Sequence, residues 1–375
     1  MNTKISKTLL RTMAILIMAG SFGSCKKFLD EKPDSSLGEP KSIEDLQAIM
    51  DSYSGNNSSY PNLGQQSDDD YYLVDAYLNG LNALLQATYK WDKNIETDAT
   101  WRAGYKVVLN SNMVLEILPS LQNSSQQLQL KTLKGTALFF RSLAFFHLAQ
   151  HFALPYNQTD AATLPGIPLR LASDVNAPVH RHTMQQTYEQ IIQDLNIAVA
   201  HLPALNAPLS RPSKQAAYAL FANLYLSMEN YNKAGLYADS ALQLGAQLIN
   251  YNTVSTSAAI PFAQFNNETI MSIAMSGHAR FNPTNGKVDA VFYNSYSNND
   301  LRKKIFFRAA GTPGQFAFKG NYQGNTTGNL FCGFTTAEML LVRAEASARQ
   351  NAKDSAMADI NRLLKNRIEA ASFTN

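Results

Sequence analysis

Two copies of one helical pattern constrain this chain more than any other feature. Between Ser213 and Leu242, large and small apolar residues recur at helical spacing, with Tyr218, Phe221, Ala222 and Tyr225 before a polar turn and Ala234, Ala238 and Ala241 after it. The spacing predicts two short helices packed back to back. A second copy runs from Glu338 to Leu363, where Ala344 and Ala356 lie 12 residues apart, the separation of Ala222 and Ala234. Alanine at these positions lets helix backbones approach closely. A lone hairpin cannot bury its apolar face, so two in register require stacked neighbours.

These positions fall on the spacing of a tetratricopeptide repeat, a unit of about 34 residues. Other segments supply the neighbours. Ser42 with Asp45 forms a capping-box pattern opening a short helix with Ile43, Leu46, Ile49 and Met50 on its apolar side. Trp101 to Leu118 and Leu128 to Phe152 keep helical spacing, Thr183 caps Met184 to His201, and Thr335 with Glu338 opens the last hairpin. Three stretches lose the period: residues 52–100, 153–182 and 248–334, rich in Asn, Gly, Pro and Tyr. The expected fold is mainly α: a tetratricopeptide-like helical-hairpin scaffold with long irregular loop insertions, in one domain spanning residues 41–375.

The N-terminus reads as an export signal. Lys4, Lys7 and Arg11 precede the apolar run Met13 to Ala19, too short to span a bilayer, and small residues follow. The segment ends at Phe22-Gly23-Ser24-Cys25, which resembles a bacterial lipobox with Phe in place of the usual Leu. Residues 1–24 are then a signal peptide, Cys25 the lipidated first residue, and residues 25–40 a tether with linker composition. A simple signal peptide with an incidental cysteine is the alternative. Removing the three cations takes the formal charge of +3 close to zero, which argues against a nucleic-acid binder. With Cys25 modified, Cys332 has no intrachain partner, and no disulfide framework is expected.

An export cysteine followed by Phe28-Leu29-Asp30 and Pro33, the helix FFRSLAFFHLAQHFALP, the Ser213 hairpin and TAEMLLVRAEASAR together resemble the SusD/RagB family of surface glycan-binding lipoproteins of the Bacteroidetes. Asn112 with Leu115 and Glu116, the segment HTMQQTYEQIIQDLNIAVAHLP, and Asp300 with Arg302 fit the same pattern. The resemblance implies a flat scaffold of repeat-like helix pairs lying over a TonB-dependent, SusC-like transporter in the outer membrane. It implies that irregular insertions form a glycan site, that no bond is broken, and that no cofactor is needed. The family usually continues past the last hairpin, so the resemblance marks this chain as truncated or as a short member.

Sugar recognition needs a flat apolar platform for the ring's C–H face beside planar amides and carboxylates for its hydroxyls. Two groups of loop residues fit: Tyr71, Tyr72, Tyr89 and Trp91 near Asp68, Asp69 and Asp70, and Tyr293 and Tyr296 near Asn294, Asn298 and Asn299. Trp91 leads, because it sits in polar company outside any helical stripe, whereas Trp101 and Tyr105 are expected to pack. For any one of these rings the plain alternative is filling a gap between loop and scaffold. His147 and His151 share a helix face, but HLAQH lacks the glutamate of a zinc-protease motif. An acidic run such as Asp68 to Asp70 is usually a solvated turn, and Asn321 to Asn329 lacks the ending of a phosphate loop. Three readings remain: a glycan-binding lipoprotein, a helical scaffold that binds only protein, and a secreted glycosidase. Aromatic-rich insertions favour the first, and the absence of a nucleophile elbow weighs against the third.

Overall fold

Each helix starts where its sequence offers a cap. Helix α1 (Ile43–Asp51) opens with Ser42 accepting from the Asp45 amide at 3.1 Å while Asp45 accepts from the Ser42 amide at 3.0 Å. At its far end a π-helical turn over Tyr53–Asn57 lets Asn56 Nδ2 donate to the carbonyls of Ile49 and Met50, which a helix terminus would otherwise leave unpaired. The structure, a computed structural model, describes residues 40–95, 98–121, 125–275, 285–325 and 329–374, with residues 41–375 in one unit. Cys25, the signal segment and nearly all of the tether therefore lie outside the described residues.

The stretch 52–100 is more ordered than its composition suggests. It holds α2 (Leu63–Gln66), β1 (Tyr71–Leu73), α3 (Asp75–Gly80), α4 (Ala83–Tyr89) and the start of α5 (Asp98–Ile117). These first helices are too short to show a stripe: α3 buries no residue and α4 only Thr88. After α5 come α6 (Gln127–Phe152), α7 (Met184–His201), α8 (Lys214–Ser227) and α9 (Tyr231–Leu244). The long excursion then carries β2 (Thr269–Met271), β3 (Gly286–Val288), α10 (Ala290–Ser295), α11 (Leu301–Ile305), β4 (Phe307–Ala309), β5 (Phe316–Phe318) and β6 (Phe334–Thr335). The final hairpin is α12 (Thr336–Arg349) and α13 (Lys353–Leu364).

The main helices stack in one array, α5 on α6, α6 on α7, α7 on α8, α8 on α9, α9 on α12 and α12 on α13. Helix α6 is apolar nearly all round because it is enclosed nearly all round, and Phe139, Phe140, Leu143 and Leu148 are fully buried. The small residues read as close-approach points are buried: Ala222, Ala234, Ala344 and Ala356. A Cβ added to Gly235 of α9 would come within 2.8 Å of the Ala346 Cβ of α12, and one on Gly104 of α5 within 2.8 Å of Leu148 of α6. Backbone meets side chain there with no room for a methyl.

One buried ion pair ties three helices together. Arg141 of α6 donates from Nε to Asp194 of α7 at 2.7 Å and from Nη1 to Asn112 of α5 at 2.9 Å. The mainly helical expectation holds, and among the described residues the sheets are three separate antiparallel pairs, β1 with β3, β2 with β6 and β4 with β5. No described helix is long and apolar enough to cross a membrane.

Candidate functional site

Strand β1 pairs with β3 in the register Tyr71 to Val288, Tyr72 to Lys287 and Leu73 to Gly286. This pairing joins the two aromatic stretches that the sequence singled out. It is prolonged by the Asp289 amide donating to the Asp70 carbonyl at 2.8 Å. Asp289 in turn caps α10, accepting from the amides of Val291 and Phe292, and α10 carries Phe292 and Tyr293 and delivers the chain to Tyr296. Tyr71 is fixed by its hydroxyl donating to the Gln66 carbonyl at 2.8 Å, with the Tyr89 ring edge-on at 6.0 Å.

Beside this junction lies a cavity of about 540 Å³, walled by Tyr71, Phe292, Tyr296 and Phe307 with Asp68 and Asp70. Tyr296 is held edge-on by Phe292 and Phe307, and the Arg302 guanidinium sits 5.3 Å over its ring. Arg302 is itself held by Asp300, which receives Nη2 at 2.6 Å and also caps α11. Asp70 has its carboxyl raised above the usual range by partial burial and by the charges of Asp68, Asp69 and Asp289. Among the described residues, Asp68, Asp69 and Asp70 are the group whose ligand atoms converge, within 4.8 Å.

The deeper lining is a saturated polar knot. Arg367 Nη2 donates to both oxygens of Glu268, at 2.6 and 2.8 Å, and its guanidinium stacks 3.9 Å over the Tyr251 ring. The Tyr322 hydroxyl donates to Glu268 at 3.2 Å, which leaves Tyr251 to donate to Tyr322 across 2.7 Å. Burial pushes Tyr251 up to about 12 and Tyr322 further, so both rings keep their protons. Glu268 is therefore fully engaged, holding the floor in one arrangement.

Of the residues expected from sequence, the cavity brings together Tyr71 and Tyr296. Tyr72, Tyr89, Trp91, Asp69, Tyr293 and Asn298 lie outside its lining. Tyr72 points to the other face of β1, as strand alternation requires. The Tyr89 hydroxyl accepts from the Leu73 amide, and Tyr293 stacks on Phe316 with ring centres 3.5 Å apart, so both serve packing. Asn298 accepts from Lys303 at 3.4 Å. Trp91 is 74% exposed and stands in the left-handed region at φ 59°, where its amide donates to the Thr88 carbonyl and that of Asp92 to Ala87. That hydrogen-bond pair is a Schellman ending to α4, with tryptophan where glycine is usual.

Trp101 packs as expected, against Tyr105 and edge-on to Phe152. His147 lies enclosed 4.8 Å from the Tyr60 ring and burial pushes it down to about 3, while His151 Nδ1 donates to the His147 carbonyl. That histidine pair is locked into the scaffold. The knot of Tyr251, Glu268, Tyr322 and Arg367 has no local sequence signal, because its members are scattered along the chain; the family resemblance points only to Asp300 and Arg302 nearby.

Residues 27–226, over half of the chain, match the family described as SusD-like and starch-binding, associating with the outer membrane. The chain belongs to the SusD-like family. Two curated relatives are SusD-like proteins of Formosa agariphila: P25, 23% identical over 308 residues covering 76% of this chain, and P2, 26% identical over 144 residues covering 38%. The chain spans 55% of the length of P25 and 26% of P2. The crystal structure of a SusD superfamily protein from Bacteroides thetaiotaomicron superposes with a TM-score of 0.72 at 20% identity, covering 88% of this chain and 82% of the other. A SusD-like carbohydrate binding protein from Bacteroides vulgatus gives 0.68 at 16%, covering 90% and 77%. At such identities these two structures establish the SusD fold.

Proposed function

We propose that this SusD-like chain binds an oligosaccharide without cleaving it, at the outer face of the outer membrane, and passes it to a SusC-like TonB-dependent transporter. The observation that carries the binding reading is the cavity, where Tyr71 and Tyr296 stand with Asp68, Asp70 and Arg302. Tyr296 gives a sugar its stacking surface, backed by the buried Tyr71, and carboxylate and guanidinium groups take up its hydroxyls. Trp91 supports a second platform on the same N-terminal stretch. A large ring held exposed in a left-handed conformation carries a backbone cost of roughly 1–2 kcal/mol, and such cost concentrates at functional positions. In this reading Tyr72, Asp69 and Asn298 are further sugar contacts outside the cavity lining, and Tyr89 and Tyr293 act by packing behind the site. The lipidated Cys25 anchors the chain, so Cys25→Ser should leave it soluble.

A glycan array probed with the chain from Lys26 onward, followed by calorimetry with the best oligosaccharide, tests the reading. Maltoheptaose is the first probe, since the family description names starch. Tyr296→Ala and Trp91→Ala should each weaken binding by about 1–3 kcal/mol, in line with aromatic anchors elsewhere. Trp91→Ala should also leave melting unchanged. An array without a single glycan bound would refute carbohydrate recognition, and loss confined to one variant would assign the site to that surface.

A further inference from the structure

The excursion 153–182 carries chemistry that the carbohydrate reading leaves unused. Its backbone is pinned to α5 at successive points. Asn112 Nδ2 donates to the carbonyls of Arg170 and Ala172, both at 3.0 Å, the Tyr105 hydroxyl donates to Pro168 at 2.7 Å, and Glu116 accepts from the Ser173 amide at 2.7 Å. Despite that anchorage, Val175 and Val179 are 68% and 56% exposed. A pinned segment that still turns branched aliphatics to water marks a contact surface.

Between this segment and α5 runs a groove of about 410 Å³. Trp101, Leu109, Val175 and Val179 give it an apolar lining, Lys106 and Arg170 give it positive charge, and none of its lining residues is acidic. A sugar fits poorly here. The one amide in the lining, Asn112, is spent on two carbonyls and on Arg141, and the lining holds no carboxylate, so hydroxyls would find cationic donors but no free amide or carboxylate acceptor beside them. A bilayer also fits poorly, since surface-seeking helices insert apolar side chains from an outward face, and this lining is concave.

We propose that the groove docks an extended segment of a partner protein that carries carboxylates around a branched aliphatic side chain. The carboxylates meet Lys106 and Arg170, and the aliphatic group lies between Trp101 and the two valines. Charge complementarity selects the acidic partner and sets its salt dependence, while the apolar floor supplies the anchor. The inference is independent of carbohydrate binding in the other cavity.

The test is a display selection of random dodecapeptides on the purified full chain. Enriched peptides should converge on Asp or Glu flanking Val, Ile or Leu. In the Trp91→Phe chain, Trp101 is the sole tryptophan, and the best synthetic peptide should shift its emission. Affinity should fall at least about tenfold in Lys106→Glu and in Val175→Ser, and should fall again as salt is raised, with unchanged melting because both side chains are exposed. Tyr296→Ala should bind the peptide normally. No convergence, convergence on acid-poor peptides, or equal binding to Lys106→Glu would each overturn the proposal. So would phosphatidylglycerol vesicles or polygalacturonate binding through Lys106 and Val175 in the absence of a converged peptide, which would transfer the groove to a lipid surface or an acidic polysaccharide.

Discussion

Glu338 makes two hydrogen bonds that favour its ionised form in surroundings whose burial opposes it. It is the third residue of the α12 capping box, accepting from the Thr335 amide at 3.4 Å, and it accepts from Asn223 of α8 at 2.7 Å. Both bonds favour the carboxylate, yet the enclosed carboxyl group is pushed by burial from the usual 4.5 up to about 7. The fold therefore prefers the protonated acid. Below pH 4.5 both folded and unfolded chains hold the proton, and its full stabilising effect is present. As pH rises, the unfolded chain releases it first, and by the time pH passes 7 the preference has been lost.

A tenfold difference in proton affinity is worth about 1.4 kcal/mol, so ionising Glu338 in place costs the fold about 3 kcal/mol as a ceiling, since its residue keeps some contact with solvent. Glu338→Gln removes that cost. Glutamine has a single acceptor oxygen: turned to the Thr335 amide it keeps the box, and its NH2 then donates to the Asn223 oxygen once that amide flips, a change that is the same at every pH. Urea unfolding of both proteins, followed by tryptophan emission from pH 4.5 to 8.5, cancels every other titrating group in the difference. The glutamine variant should gain about 2–3 kcal/mol on the parent between the ends of that range, most of it between pH 5 and 7. A difference that stays constant with pH would refute the enclosed-carboxyl argument.

Ala222→Leu and Ala344→Leu should each destabilise by about 1–3 kcal/mol, read from denaturation midpoints, because both sit where helices approach without spare volume. Arg141→Met should cost about 3–5 kcal/mol by leaving Asp194 buried without its cation; the double variant Arg141→Met with Asp194→Leu should recover much of it, and equal losses in both would mean that the pair contributes through packing alone. Melting temperature should be the same with and without dithiothreitol, since Cys332 is a free cysteine whose thiol burial holds protonated; a drop in reductant would expose a missed disulfide.

The scaffold was legible because it is local. Helix α7 runs over the expected residues, and the capping boxes at Thr183 and Thr335 mark true starts, since each is a pattern within four residues. The site was legible only as a set of ingredients. What joins Tyr71 to Tyr296 is a three-residue strand pair whose partners are more than two hundred positions apart, and neither strand is long enough to alternate visibly. The Glu268 and Arg367 pair is likewise non-local, and nothing in the spacing of either residue announces it. The short helices of residues 63–89 escaped because they bury almost nothing, so no apolar stripe was ever required of them.

Helices α9 and α12 pack directly although residues 245–335 intervene. For the array, that excursion is one loop with its two ends brought together. Closure entropy grows slowly with loop length, by about 0.6 kcal/mol for each doubling. Outside the stretch that packs Ile270, Met271 and Ile273 into the helical core, the excursion can therefore lengthen, shorten or be rewritten over evolutionary time while the α9 and α12 contact at Gly235 and Ala346 stays as it is. Under the reading proposed for the cavity, new ligand preferences can arise in a lineage through changes to this cassette, with the helices beneath it left under separate selection.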